Sequence, residues 1–330
     1  MLLGRDGPAE CYVPRMLRWP AILVVILVLV GCGGATPQVV SPTDSATIEP
    51  AVAEPPPRAR DTADRAAAIV GANLRVLLHV DRVKDHPLAP RLVSMKAWGG
   101  ILEATGIDPL TDVDRAFVAA KNARDQRAVM AVAEHHVGPE RLKAAIEQLV
   151  ADSGPDGALL PELGVLAAKV KVRGRESVVL AVTPTLLVVT SDDFANAATT
   201  LANSGGLPDP VGPEAVSAQV ERPSATLKAP RAPRVPKTIS RAEATVTMAP
   251  DGGADVLIIG QSTDTKQAER DAKALTKEVD RATTVKVAIV RIRAFDPVRF
   301  TAADDRVEGR RHVTSGELNT LLGFAEMMAK

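Results

Sequence analysis

From Ala63 onwards the chain switches between two hydrophobic periods, and each switch marks a change of element. Leu74, Val76, Leu78 and Val80 alternate with Arg75, Leu77 and His79, which predicts a strand with one buried face. Leu88, Leu92, Met95 and Leu102 predict a helix over 88–105, ended by Gly106-Ile107-Asp108-Pro109. Apolar runs at 115–121 and 127–134 flank Asn122-Ala123-Arg124-Asp125-Gln126 and predict a hairpin. Pro139 suits the first turn of a helix whose buried stripe is Leu142, Ala145, Ile146 and Leu149. Strands at 164–172, 177–183 and 185–190 follow. Ser191 then caps a helix that buries Phe194, Ala197, Ala198 and Leu201.

The second part of the chain repeats this order of elements. Ser240-Arg241-Ala242 opens a strand, a turn at Asp251-Gly252-Gly253 and a second strand, as Asp114-Arg115-Ala116 does before it. A helix over 265–282 follows, capped by Asp264 or Thr265, with the stripe Ala268, Ala272, Leu275 and Val279. Strands from 285 lead to Thr314-Ser315-Gly316-Glu317, which fits a capping box. The last helix turns Leu318, Leu321, Leu322, Ala325 and Met328 inward. The pattern is that of an α+β protein made of two related halves, each an antiparallel sheet with packed helices. The halves span 63–206 and 240–330. Between them, 207–239 holds seven prolines and a strand at 214–220, and reads as a Pro/basic linker.

The N-terminal part has no such period. Residues 20–30 carry no charge and follow Arg15 and Arg18. A basic segment, a short apolar run and small residues make a secretory signal. The run is shorter than the roughly 20 apolar residues of a spanning helix. Six prolines between Thr36 and Pro57 make 32–62 a Pro-rich stretch that cannot bury a core, the composition of a disordered tether.

Leu29-Val30-Gly31-Cys32 closes the apolar run and resembles the lipobox of bacterial lipoproteins. The resemblance implies a signal peptide over 1–31, cleavage between Gly31 and Cys32, and acylation of Cys32. Met16 would start a compact signal of this kind. Gly33, where inner-membrane lipoproteins often carry aspartate, implies the outer membrane, with the protein facing the periplasm or the cell surface. Acyl chains at Cys32 make membrane lipid the first partner, and two or more chains anchor firmly. The body resembles, distantly, uncharacterised envelope proteins grouped under a domain of unknown function. Val80-Asp81-Arg82-Val83, His86-Pro87-Leu88 and Gly106-Ile107-Asp108-Pro109 carry that likeness, which implies no chemistry.

Composition narrows the function classes. Lys and Arg number 40, as do Asp and Glu, so the charge gives no argument for nucleic acid. One tyrosine, two tryptophans and five phenylalanines leave few aromatic faces for sugars or bases. Of the two cysteines, the lipobox resemblance implies that Cys11 is removed with the signal and Cys32 is lipidated, which would leave the mature chain without thiol chemistry.

Four residues offer weak catalytic chemistry. His79 and Asp81 lie two apart on a strand, hence on one face, and would form a dyad with an unseen serine. On that strand His79 points away from the face read as core. His135-His136 ends a strand, where neighbours point to opposite faces and do not share a metal. No metal-ligand spacing and no glycine-rich phosphate loop is present, so no metal or cofactor is expected. Asp108, Asp112 and Asp114 fit turns and caps. Arg222, Lys228, Arg231, Arg234 and Lys237, set among prolines, form either an anionic-surface contact or an exposed linker. The reading is a lipid-anchored cell-envelope protein with a non-catalytic binding or structural role and an unidentified envelope partner. The alternatives are an envelope hydrolase assembled from distant loops and a carrier with an apolar cavity between the halves.

Overall fold

The computed structural model describes residues 60–94, 105–125, 127–172, 175–228, 233–287, 290–293 and 298–328. Gly31, Cys32, Arg231, Met95 and Leu102 lie outside the described residues.

The protein is α+β. Its elements run α1 (Thr62–Val70), β1 (Leu74–His79), α2 (Ala89–Ser94), β2 (Val113–Ala120), β3 (Val129–His135), α3 (Pro139–Asp152) and β4 (Ala158–Leu159). Then come β5 (Leu166–Val172), β6 (Arg175–Thr183), β7 (Leu186–Thr190), α4 (Asp192–Ala198), β8 (Val216–Glu221) and α5 (Pro223–Thr226). The chain continues through β9 (Arg241–Met248), β10 (Ala254–Gln261), α6 (Thr265–Thr283), β11 (Thr284–Val287) and β12 (Val290–Arg293). It ends with β13 (Phe300–Ala303), β14 (Arg306–Val313) and α7 (Ser315–Met328).

Twelve strands form one antiparallel sheet in the order β13-β14-β10-β9-β8-β1-β2-β3-β7-β6-β5-β4, and β11 and β12 form a separate pair. Reading outward from the β1–β8 joint, β1, β2, β3, β7 and β6 match β8, β9, β10, β14 and β13. Because β1 and β8 are antiparallel, Leu74 facing Val220 and Leu78 facing Val216, the axis relating the two halves stands perpendicular to the sheet. Equivalent faces therefore stay on the same side. The strand expected at 214–220 is β8, and it hydrogen-bonds both halves.

One row of side chains across the sheet shows how the two faces differ. Ala167, Leu180, Val188, Val132, Phe117 and Leu77 stand side by side on one face, here the front. They pack beneath α1 and α4 with Ala66, Ala67, Val70 and Ala198. Past the joint the same row becomes Ser217, Thr245, Leu257 and Arg310. Around it the front carries Arg241 bridged to Glu221 and Glu243, and Arg310 to Glu308. The back face is mainly apolar, with buried Arg311 and His135 among its exceptions. The α3 stripe Leu142 and Ile146 packs on Ala168, Val170 and Val179. The α6 stripe Ala268, Ala272, Leu275 and Val279 packs with α7 on Val256, Ile258, Val307 and Val313. Leu74, Val76, Ala120, Ala218 and Val220 fill the back between them.

The local signals have direct counterparts. Thr314 and Glu317 make the capping box: the Glu317 amide donates to Thr314 Oγ1 at 3.4 Å, and the Thr314 amide to Glu317 Oε2 at 3.0 Å. Asp264 Oδ1 accepts the Gln267 amide at 2.8 Å and caps α6. In the Asp108–Asp112 turn, Asp108 Oδ1 accepts the Leu110 amide and Asp112 the Asp108 amide. Arg141 grips Asp112 with both arms at 2.8 and 2.7 Å, fixing the start of α3.

Three local expectations need correction. The Ser191 hydroxyl does not cap α4; it donates to the Arg127 carbonyl at 2.8 Å on the neighbouring turn. Ala195, not Ala197, joins the α4 core: Ala195 and Ala198 are buried on the sheet, Phe194 is half-buried against the same cluster, and Ala197 is exposed. The helix predicted from 88 begins at Ala89 and is described to Ser94, with Thr105 the next described residue.

Candidate functional site

The site is best built from the front face at the joint. His79 on β1, Arg115 on β2 and Glu134 on β3 stand in one lateral row, His79 opposite Arg115 and Arg115 opposite Glu134. Neighbouring strands lie about 4.8 Å apart, so Arg115 sits between the other two. The loop after α4, 204–215, closes over this row. The Thr62 hydroxyl at the start of α1 pairs with Ser204 and accepts the Gly206 amide, and Gly206 returns its carbonyl to the Thr62 amide. Gly206 has φ +104°, and a Cβ there would lie 3.0 Å from Glu134 Oε1, so glycine lets the loop cross the carboxylate.

Three arginines hold the loop. Arg115 donates to the Leu207 carbonyl at 2.9 Å and Arg60 to the same oxygen at 3.2 Å. Both also reach Asp209, Arg115 at 2.7 Å and Arg60 at 3.2 Å. Arg82 donates to the Gly212 and Glu214 carbonyls. Beneath the loop, three buried atoms have no hydrogen-bond partner: Asp61 Oδ1, His79 Nδ1 and Glu134 Oε2. Arg115 Nη1 lies 3.4 Å from that Glu134 oxygen, an ion pair without hydrogen-bond geometry. Burial, then the Arg82 and Arg115 charges, lowers the His79 pKa. Burial raises that of Glu134 against the pull of Arg115 and Arg60.

The histidines and Asp81 fall into different places. His79 is only 1% exposed, because the second face of β1 is covered as well as the first. Asp81 does not share a strand face with it: β1 ends at His79 and Asp81 lies in a 3-10 turn over Val80–Arg82, exposed. His135 is buried, 3% exposed; its Nδ1 accepts the Val137 amide at 3.2 Å and its Nε2 has no partner. Burial, then neighbouring His136, lowers its pKa. His136 is exposed and meets Asp114 at 3.4 Å. Asp81 and His136 do come together, with Asp114 and Lys84, around a shallow surface cleft. Among the described residues no group of His, Cys, Asp and Glu converges on a metal position.

The basic segment is partly docked. Arg222, Lys228, Arg234 and Lys237 are exposed. Arg222 takes a left-handed backbone, φ +47°, and its amide donates to the Ser240 carbonyl at 2.7 Å. The Arg234 amide donates to Glu278 on α6. Thr238 donates to Asp271, which is 2% exposed and also accepts from Ser262 and Gln267. That network ties 233–240 to α6, and no composition signal reports it.

A second polar cluster lies on the open front of the second half. His312 on β14 places Nδ1 2.9 Å from Asp255 and Nε2 2.9 Å from Asp251. Both bonds form only when the ring carries two protons. The hydrogen bond to Asp255, then the Asp251 charge, raises the His312 pKa above 6.5. A raised pKa means the folded state holds the proton longer. The stability it contributes is complete below 6.5 and is lost as pH rises through the raised value. His79 and His135 have the opposite sign and remove stability as pH falls below 6.5. Urea unfolding from pH 6 to 9 is therefore expected to show wild type losing its advantage over a His312→Gln variant as pH rises. A pH-independent gap would remove this assignment.

Comparison with models of known families, with curated proteins and with solved structures finds no match to this chain. No described helix is long and apolar enough to cross a membrane.

Proposed function

We propose that this is a lipid-anchored cell-envelope protein whose folded body serves as a binding module. The observation that carries the reading is Leu29-Val30-Gly31-Cys32 directly after an uncharged apolar run and before a Pro-rich stretch. Lipid on Cys32 would hold the body at the membrane, and residues 32–59 would set its reach at roughly 3 Å per residue if extended. The body supports a binding role through one feature: buried polar atoms without partners gathered beneath a loop held by arginines. Such groups call for a specific explanation. The hydrolase reading needs a histidine that a substrate can reach beside a carboxylate or serine. His79 and His135 are buried, and exposed His136 meets Asp114 in an open cleft.

Metabolic labelling with an alkyne-tagged palmitate is expected to mark the wild-type chain and leave a Cys32→Ala variant unmarked. Label that persists in the variant, or is absent from both, would refute the anchor.

A further inference from the structure

We propose that the row His79–Arg115–Glu134 is the floor of a binding site for a free α-amino acid, occupied here by Asp209 of the covering loop. The inference rests on reading the body as a binding module, and does not depend on the lipid anchor.

Asp209 behaves as an internal stand-in for a carboxylate ligand. Its side chain is 60% exposed, yet both oxygens are held, Oδ1 by Arg115 at 2.7 Å and Oδ2 by Arg60 at 3.2 Å. Two guanidinium groups on one carboxylate, one from β2 and one from the segment before α1, are a fitting receptor for a planar anion. Because the pair is solvent-accessible, a free carboxylate can compete for it. Below, the same Arg115 has Glu134 Oε2 at 3.4 Å from its other arm. One guanidinium is thus bracketed by two carboxylates, and only the Asp209 carboxylate is well bonded. A ligand whose carboxylate replaces Asp209 and whose ammonium sits on the next carbon would bring N–H donors to Glu134 Oε2. Asp209 and Glu134 meet the two ends of one guanidinium, Nη2 and Nη1, a span that the carboxylate and ammonium of an α-amino acid can bridge. A cation there also offsets the burial of the Glu134 charge. His79 Nδ1, in a side chain 1% exposed and without a partner, is the remaining polar atom of the row.

The part of the loop that can move lies past Leu207. Gly205-Gly206 and Gly212 flank the segment that carries Asp209. Its start is anchored by Leu207, fully buried in the front core, and by the Thr62–Gly206 contacts, and arginine side chains hold its carbonyls. Displacing Asp209 frees the segment between Leu207 and Gly212 without breaking a strand or withdrawing Leu207 from the core. A closed loop reduces apparent affinity in proportion to the open fraction.

The test is a titration of the full mature chain with L-alanine, followed by ring NMR signals. There are only five histidines, so the His79 signal can be assigned individually. A saturable shift of the His79 ring, accompanied by the Gly206 and Leu207 amides, is expected. Asp209→Asn alters only an exposed side chain, and should tighten the apparent affinity by about tenfold by favouring the open loop. Acetate, which has the carboxylate alone, should bind at least about tenfold more weakly than L-alanine, because it leaves Glu134 unmet. The proposal is overturned if His79 does not respond saturably in either protein, if Asp209→Asn leaves affinity unchanged, or if acetate matches L-alanine. Binding by an unlabelled Cys32→Ala chain would separate this site from the anchor, since the two readings then fail or stand independently.

Discussion

Replacing Glu317 with alanine is expected to lower the unfolding free energy by about 3–5 kcal/mol, the cost of breaking a buried ion pair from one side. Arg311 lies on the apolar back face of β14, 5% exposed, and takes its carboxylate from Glu317 in the first turn of α7. The other Glu317 oxygen accepts the Thr314 amide at 3.0 Å and hydroxyl at 3.1 Å. One side chain thus closes the capping box and answers a buried cation. Burial raises the Glu317 pKa, but the Thr314 amide and the Arg311 charge outweigh it and the net shift is downward. Its contribution is therefore present above the ordinary carboxylate range and disappears as pH falls through the depressed value. Glutamine, which keeps the cap without the charge, should lose less. Urea unfolding of both variants checks this, and a loss under about 1 kcal/mol for alanine would show that the pair is not structural.

Leu180→Ala is expected to cost about 3–4 kcal/mol, through lost burial and the cavity left behind. Leu180 is fully buried in the row beneath α1 and α4, between Ala167 and Val188. The location of the loss tells more than its size. Because β1 and β8 join the halves in one hydrogen-bonded sheet, the variant should unfold in one transition. Amide exchange in β10 and β14, in the other half, should accelerate with that in β6. Faster exchange confined to β1–β7 would mean the halves unfold separately.

What the sequence disclosed was local. The α6 stripe needs only its own 3.6-residue period, and the Thr314–Glu317 box and the 249–253 turn need only neighbouring residues. The repeat was legible as element order, since β2-β3-α3 and β9-β10-α6 share a pattern. What it hid depends on partners far along the chain. The sequence places His79 on the face of β1 away from the obvious core, but does not show what covers that face. It is covered by a loop more than a hundred residues away, tied down by Arg60, Arg82 and Arg115. The helix after β7 crosses to the front while the one after β14 stays at the back, a difference no periodicity records. Arg115 drew no notice as a site residue, because a single arginine on a strand has no motif. A basic residue alternating with Phe117 and Ala119 on a face otherwise apolar was the one available hint.

The central claim is that this body works at a membrane surface through lipid on Cys32, and intact-mass analysis of the detergent-extracted protein tests it most directly. The account predicts a chain that begins at Cys32 and carries added acyl mass, with that species absent from a Cys32→Ala variant. A chain that retains residues 1–31, or one that begins at Cys32 without acyl mass, would contradict it.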